Sequence, residues 1–244
     1  MKPMEDTNRS PSPERAKARL MVQCAHWLRS GWEVGQGERL PDPKDLLAWV
    51  SRLAPEADAS EIANHALPVG EWPDQLTMNG TWAKLSGTTI EWALGLKDDF
   101  GEWDEPEWWS DAVHDDFPGF PDPAQWRHDL RLRSWEELER QAMIMETCLW
   151  RLRQGPQPDP DAAEYVKKLL ARSAAIGHVR LAPDGDLRCS DGRSLADQSD
   201  EEAQEILSIV TERLHALNWL TGQEEHYGDI TCNTIVGWLW DEEP

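Results

Sequence analysis

Residues 199–222 read SDEEAQEILSIVTERLHALNWLTG, and this stretch decides the fold. Ser199 followed three residues later by Glu202 is a capping box, in which hydroxyl and carboxylate each satisfy a backbone N–H that the first helical turn leaves unpaired. Behind it Ile206, Val210, Leu217 and Leu220 recur at helical spacing, and Gly222 supplies a stop. The expected element is a long helix ending at Leu220. Arg213 falls on the same apolar stripe, so its stem can pack while its head must find a carboxylate, Asp229 or another acid. One reading makes Arg213 the grip of an anion pocket; the other makes it an ion pair that fixes the C-terminal tail.

The same signals recur outward from this helix. Ser134 and Glu137 form a second capping box, opening a helix with Leu138, Ala142, Met145, Leu149 and Leu152 on one stripe, ended by Gly155-Pro156. A helix from about Thr81 to Leu94 buries Trp82, Leu85, Thr89, Ile90 and Ala93 before Gly95. Ser12 and Pro13 start a first helix running to Gly31, and Asp42-Pro43 starts a short one that Pro55 ends. Ser60 is expected to cap a single-turn piece, and Asp159-Pro160 to open a helix reaching Ala175. His178–Leu181 and Asp186–Cys189, either side of Pro183-Asp184-Gly185, read as a β-hairpin. No repeat is visible. The expected fold is therefore mostly α: a single multi-helix domain of six or seven helices with one small inserted β-hairpin, its core formed by the helices at Thr81, Ser134 and Ser199. Residues 1–13 read as a disordered tail and 14–244 as one α-rich domain.

Composition narrows the class. The chain has 244 residues, 39% of them apolar, which suits a soluble globular domain and excludes disorder throughout. Its net charge of −22 repels phosphate backbones and anionic lipid, so neither nucleic acid nor a membrane surface is an expected partner, whereas a basic protein is. The longest uncharged stretch, Ile230 to Trp240, is too short to span a bilayer, and residues 1–13 lack the apolar core of a secretory signal. Cys24, Cys148, Cys189 and Cys232 are scattered and form no C-x-x-C pair; a reducing cytoplasm is the expected compartment.

Glu212 through Gly222, followed by Gly228-Asp229-Ile230-Thr231-Cys232-Asn233-Thr234, resembles the end of the bacterial domain of unknown function 4272 family, with its E-R-x-x-A-L-N-W-L-x-G stretch and D-[VI]-x-T-[DN]-T tail. Trp82 to Leu96 is similar to that family's W-x-x-E-A…L-W-A-L-G-L helix, and Ser134 to Arg153 to the helix between the two blocks. The likeness covers about residues 80–235. It implies an α-rich cytoplasmic fold and no particular activity. Cys232-Asn233 depart from the tail pattern, and the segment around residue 110 is longer than the family's.

Two groups of residues are candidates for function. Glu212 and His215 form an E-x-x-H that places both side chains on one helix face, as in carboxylate-bridged di-metal bundles. Such centres need a second E-x-x-H and two further glutamates, and Glu91 is the single obvious partner, so neither metal nor cofactor is assigned. Glu91, Glu212, Arg213, His215, Asn218 and Asp229 could instead line a polar enzyme site, or share a satisfied edge of the core. No nucleophile elbow and no glycine-rich phosphate loop is present. The other group lies in residues 98–129, which carry eleven acidic residues against Arg127 alone, with four of the chain's 15 Trp and all three Phe. Trp103, Asp104, Glu105, Glu107, Trp108, Trp109, Asp115, Asp116, Phe117 and Phe120 could form an interface for a basic protein, as an immunity-type inhibitor of a basic toxin would need. Alternatively the rings tuck the loop onto the core while its acids face water. The expectation is a cytoplasmic binding protein; the alternative is an enzyme acting at the polar site.

Overall fold

The computed structural model describes residues 10–36, 40–53, 56–119, 121–122, 125–127, 129–155, 160–230 and 232. Residues 1–9 of the expected tail, and Thr231, Asn233 and Thr234 of the C-terminal motif, lie outside the described residues. Eight helices are present among the described residues: α1 (Pro13–Glu33), α2 (Pro43–Arg52), α3 (Ala59–His65), α4 (Asp74–Ala93), α5 (Asp111–Asp116), α6 (Trp135–Arg153), α7 (Pro160–Ala175) and α8 (Asp200–Leu220). The long helices form the row α1–α4–α8–α6, each packed on the next, with α2 beside α1, α3 beside α2 and α7 beside α6. Ser134 and Ser199 both make reciprocal capping boxes, with Glu137 and Glu202. Ser12 and Asp42 cap α1 and α2, each with proline in the first turn.

The expected hairpin is not there. No β-strand occurs among the described residues, and residues 178–195 hold two isolated antiparallel bridges, Leu181 with Leu187 and Arg188 with Ser194. Residues 186–189 divide their backbone pairing between residues 180–182 on one side and 193–195 on the other, so neither pairing runs beyond a single bridge. Arg151 of α6 takes the Asp186 carboxylate through Nε at 2.7 Å and Nη2 at 2.5 Å, and Asp186 Oδ1 also accepts the Leu187 N–H. Asp186 is thereby pinned to the helix layer, and the chain on either side of it makes a succession of tight turns.

Two helix starts also differ from the sequence reading. Asp58, not Ser60, caps α3 through a box with Glu61; the Ser60 hydroxyl donates to the same Asp58 oxygen. α4 begins at Asp74, well before Thr81. Asn79-Gly80 is a poor helix pair by propensity, but Gly80 is where α1 comes closest: a Cβ there would stand 2.8 Å from Ser30 Cβ and 3.1 Å from the His26 carbonyl. Two turns further on Gly87 receives the Trp109 ring, which occupies the space a side chain would need. All four cysteines are free; Cys24, Cys148 and Cys189 are buried.

Candidate functional site

A cavity of about 370 Å³ opens where α1, α3, α4 and α8 converge. From α1 it receives Arg19, Gln23 and His26, successive positions of one helix face; from α8, Glu212 and His215. Glu61 and Asn64 of α3, Asn79 of α4, and the rings of Trp72 and Tyr227 complete it. Its one permanent ion pair is internal: Arg19 grips Glu61 with two bonds, at 2.9 and 2.7 Å, while its guanidinium lies 3.8 Å from the centre of the Tyr227 ring. Burial by itself would raise the Glu61 carboxyl, but Arg19 outweighs it and holds the group below its usual value. The pair is thereby charged and self-compensated.

Burial shifts the remaining titratable groups toward their uncharged forms. Burial raises the Glu212 carboxyl, opposed by the Ser86 hydroxyl, which donates to Oε2 at 2.7 Å. Burial pushes His215 below 6.5. Its Nε2 lies 2.9 Å from the Tyr227 carbonyl, and since a carbonyl only accepts, Nε2 carries the proton and Nδ1 is left as a basic acceptor. His26, also desolvated, titrates at about 4 and stacks on His65, with ring centres 4.9 Å apart. Glu212, its pKa raised by burial, and His215, one helical turn away with its pKa lowered, bring a carboxyl and an imidazole into one cavity.

Of the six residues expected at a polar site, the cavity takes Glu212 and His215. Glu91 and Arg213 serve elsewhere, as the two ties of the acidic tryptophan-rich segment. Fully buried Glu91 accepts the Ser110 N–H at 3.1 Å and the Ser110 hydroxyl at 2.6 Å, and desolvation drives its pKa to about 7. Arg213 donates to the carbonyls of Glu102, at 2.7 Å, and Glu105, at 2.8 Å; its partners are main-chain oxygens and not Asp229. Asn218 is buried in α8, and Asp229 is exposed in the short 3-10 turn Tyr227–Asp229.

The acidic segment itself is mostly laid onto the core. Trp109 and Phe117 are buried, Trp109 against Trp27 and Phe117 between Trp49 and Trp126. Half-buried Trp103 donates its indole N–H to the Arg188 carbonyl, and buried Asp104 accepts from the backbone and hydroxyl of Ser190. Glu107 pairs with Lys97, and Asp116 accepts from the Trp126 indole. Glu105 and Asp115 are exposed, as is Trp108 at 68%; Phe120 lies outside the described residues.

Sequence reasoning missed Arg19, Gln23, His26, Glu61, Asn64 and Tyr227. One signal was available: positions 19, 23 and 26 put a polar stripe on a helix that otherwise carries Leu20, Cys24 and Leu28. No family model, no curated protein and no solved structure matches the chain. Among the described residues no group of three or more His, Cys, Asp or Glu is placed to hold a metal ion, and no helix is long and apolar enough to cross a membrane.

Proposed function

We propose that the chain binds a small hydrophilic molecule without net charge in the cavity between α1, α3, α4 and α8, with Glu212 and His215 as its proton donor and acceptor. The observation that carries this reading is the convergence of polar side chains from four helices on a void of about 370 Å³ in which Arg19 and Glu61 neutralise each other. That volume falls within the roughly 300–1,000 Å³ of ordinary small-molecule sites. Arg19 and Glu61 neutralise each other, and burial favours the uncharged forms of Glu212, His26 and His215, so a neutral ligand rich in hydroxyl, amide or ring nitrogen groups suits the lining best. The faces of Tyr227 and Trp72 would take its less polar side. The reaction class open to such a site is proton transfer to and from the bound molecule.

The test is a thermal-shift and calorimetry screen of neutral polar compounds, nucleosides, sugars and amides among them, against wild type, Glu212→Gln, His215→Ala and Asn79→Trp. Asn79 is exposed at the cavity wall, so the bulky replacement blocks the space without touching the core. A ligand bound by wild type and weakened tenfold or more, about 1.4 kcal/mol, in all three variants is the expected result. Equal binding by wild type and Asn79→Trp would place the ligand elsewhere and sink the reading, as would a screen in which wild type binds nothing.

A further inference from the structure

The cavity between α1, α3, α4 and α8 contains a buried polar group that the fold itself does not use. Arg19 and Glu61 hold each other, Glu212 has the Ser86 hydroxyl, and His215 has the Tyr227 carbonyl. Gln23, between Arg19 and His26 on the same face of α1, is 4% exposed and lines the cavity, yet its side chain makes no hydrogen bond among the described residues. Neither of its amide atoms is sealed off, so the little surface that Gln23 keeps includes both the oxygen and the nitrogen, on the wall of the cavity. The carboxamide of half-buried Asn64, on α3, lines the same cavity and is likewise unpaired among the described residues. A buried amide without a partner is costly, and an apolar side chain of the same length would serve α1 better.

We infer that Gln23 is the specificity-determining residue of this cavity, and that the molecule bound there offers it the paired donor–acceptor edge of a planar nitrogen heterocycle, a cyclic amide or amidine such as a nucleobase carries. The inference rests on the small-molecule reading of the cavity and narrows it to one class of ligand. A carboxamide holds an acceptor and a donor side by side in one plane. The partner that satisfies both at once carries a donor and an acceptor at adjacent positions of its own plane, which is how glutamine and asparagine read the edge of a base. Two hydroxyls reach the same two atoms only by freezing two rotors, so a sugar gains less. Trp72, Leu76 and Ala83 line the same cavity and offer apolar surface to the face of a ring. Asn64, Glu212 and His215 are left for its other polar atoms. Such a ring is uncharged, in keeping with a cavity whose arginine is already paired with Glu61.

The experiment is calorimetry on the full chain with hypoxanthine, inosine, uridine and adenosine as probes. Each nucleoside is paired with a counterpart methylated at the donor of its edge, and glucose and myo-inositol serve as polyols that lack the edge. The proteins are wild type, Gln23→Met, Gln23→Glu and Asn79→Trp. Wild type should bind at least one heterocycle, and methylation of the edge donor should weaken that binding tenfold or more. Gln23→Met should weaken it to the same degree while melting no lower than wild type, because its amide had no partner to lose. Gln23→Glu should lose the heterocycle and gain benzamidine, whose two parallel N–H groups fit a carboxylate. Hypoxanthine against inosine separates a free base from a nucleoside, and binding of either supports the inference. A methylated counterpart bound as tightly as its parent would overturn it, and that comparison on wild type needs no variant to fold. So would unchanged binding in Gln23→Met, or a marked fall in its melting temperature. Polyols bound by wild type and lost in Asn79→Trp, with no heterocycle bound, would refute the inference and leave the small-molecule reading standing. A wild type that binds nothing would refute both.

Discussion

Replacing Glu91 by Gln should make the protein more stable at pH 8 and leave it nearly unchanged at pH 5. Glu91 has no exposed surface, and desolvation moves its pKa from 4.5 to about 7, the Ser110 hydrogen bonds opposing the rise without cancelling it. A carboxyl whose folded pKa lies above its unfolded one favours the fold while protonated. Its contribution is complete below pH 4.5, where both states hold the proton, and is lost as pH rises through about 7. The gap between 4.5 and about 7, at ~1.4 kcal/mol per pH unit, amounts to about 3.5 kcal/mol. Gln keeps an oxygen for the Ser110 N–H and hydroxyl and cannot ionise, so the variant omits that loss. Urea denaturation of both proteins at pH 5, 6, 7 and 8 isolates the effect, because Glu212 and the other titrating groups are common to both and cancel in the difference. The stability difference should grow by roughly 2.5 kcal/mol from pH 5 to pH 8, the first ~0.8 kcal/mol having been lost already below pH 5. Parallel curves, diverging by less than about 1 kcal/mol, would show that Glu91 is not desolvated as described. Glu91→Ala supplies the contrast: with Ser110 left unpaired, it should lose stability at every pH.

Trp109→Ala should cost ~3 kcal/mol or more in chemical denaturation, whereas Trp108→Ala should stay within about 0.5 kcal/mol, since one ring is core and its neighbour is not. Ser134→Ala and Ser199→Ala should each lose about 1 kcal/mol through their capping boxes; unchanged denaturation midpoints would contradict both helix starts. Asp186→Ala strands the buried Arg151 guanidinium and should cost about 3–5 kcal/mol, with protease cutting accelerated in residues 178–195. On the acid side, His26 titrates at about 4 in the fold against 6.5 in the open chain, so the stability it confers is full above pH 6.5 and is lost as pH falls through 4. His26→Gln should flatten the stability profile between those limits, and a profile identical to wild type would refute the burial of that ring.

The readable parts of the fold were those whose chemistry is local. A capping box is complete within four residues, so Ser134 and Ser199 could be placed from their own neighbours, as could the Pro-initiated starts of α1 and α2. Gly80 could not, because its value as a helix residue comes from the α1 backbone it admits. Nor could the fate of Asp186, settled by an arginine 35 residues away. The candidate site divides in the same way. Glu212 and His215 announce themselves by spacing on one helix, but their company in the cavity, Arg19 and Glu61, comes from the far end of the chain. Arg213 was recognisable as a buried cation in need of a partner, and the partners are carbonyls 111 and 108 residues distant, for which a search among acidic side chains has no signal. The tryptophan-rich segment is an instance of composition misleading about exposure: its acids mark it as surface, while Trp109, Phe117 and Trp126 secure its underside.

The burial of the thiols has a practical side. Desolvation holds Cys24 well above 9.0, Cys189 at about 12 and Cys232 at about 11, so the native chain presents almost no thiolate to an alkylating reagent at neutral pH. Reaction at a given sulfur then waits for the surrounding structure to open. Cys24 sits in α1, Cys148 in α6 and Cys189 among the tight turns before α8. The molecule therefore carries its own set of clocks, each timing the breathing of a different part of the helix row.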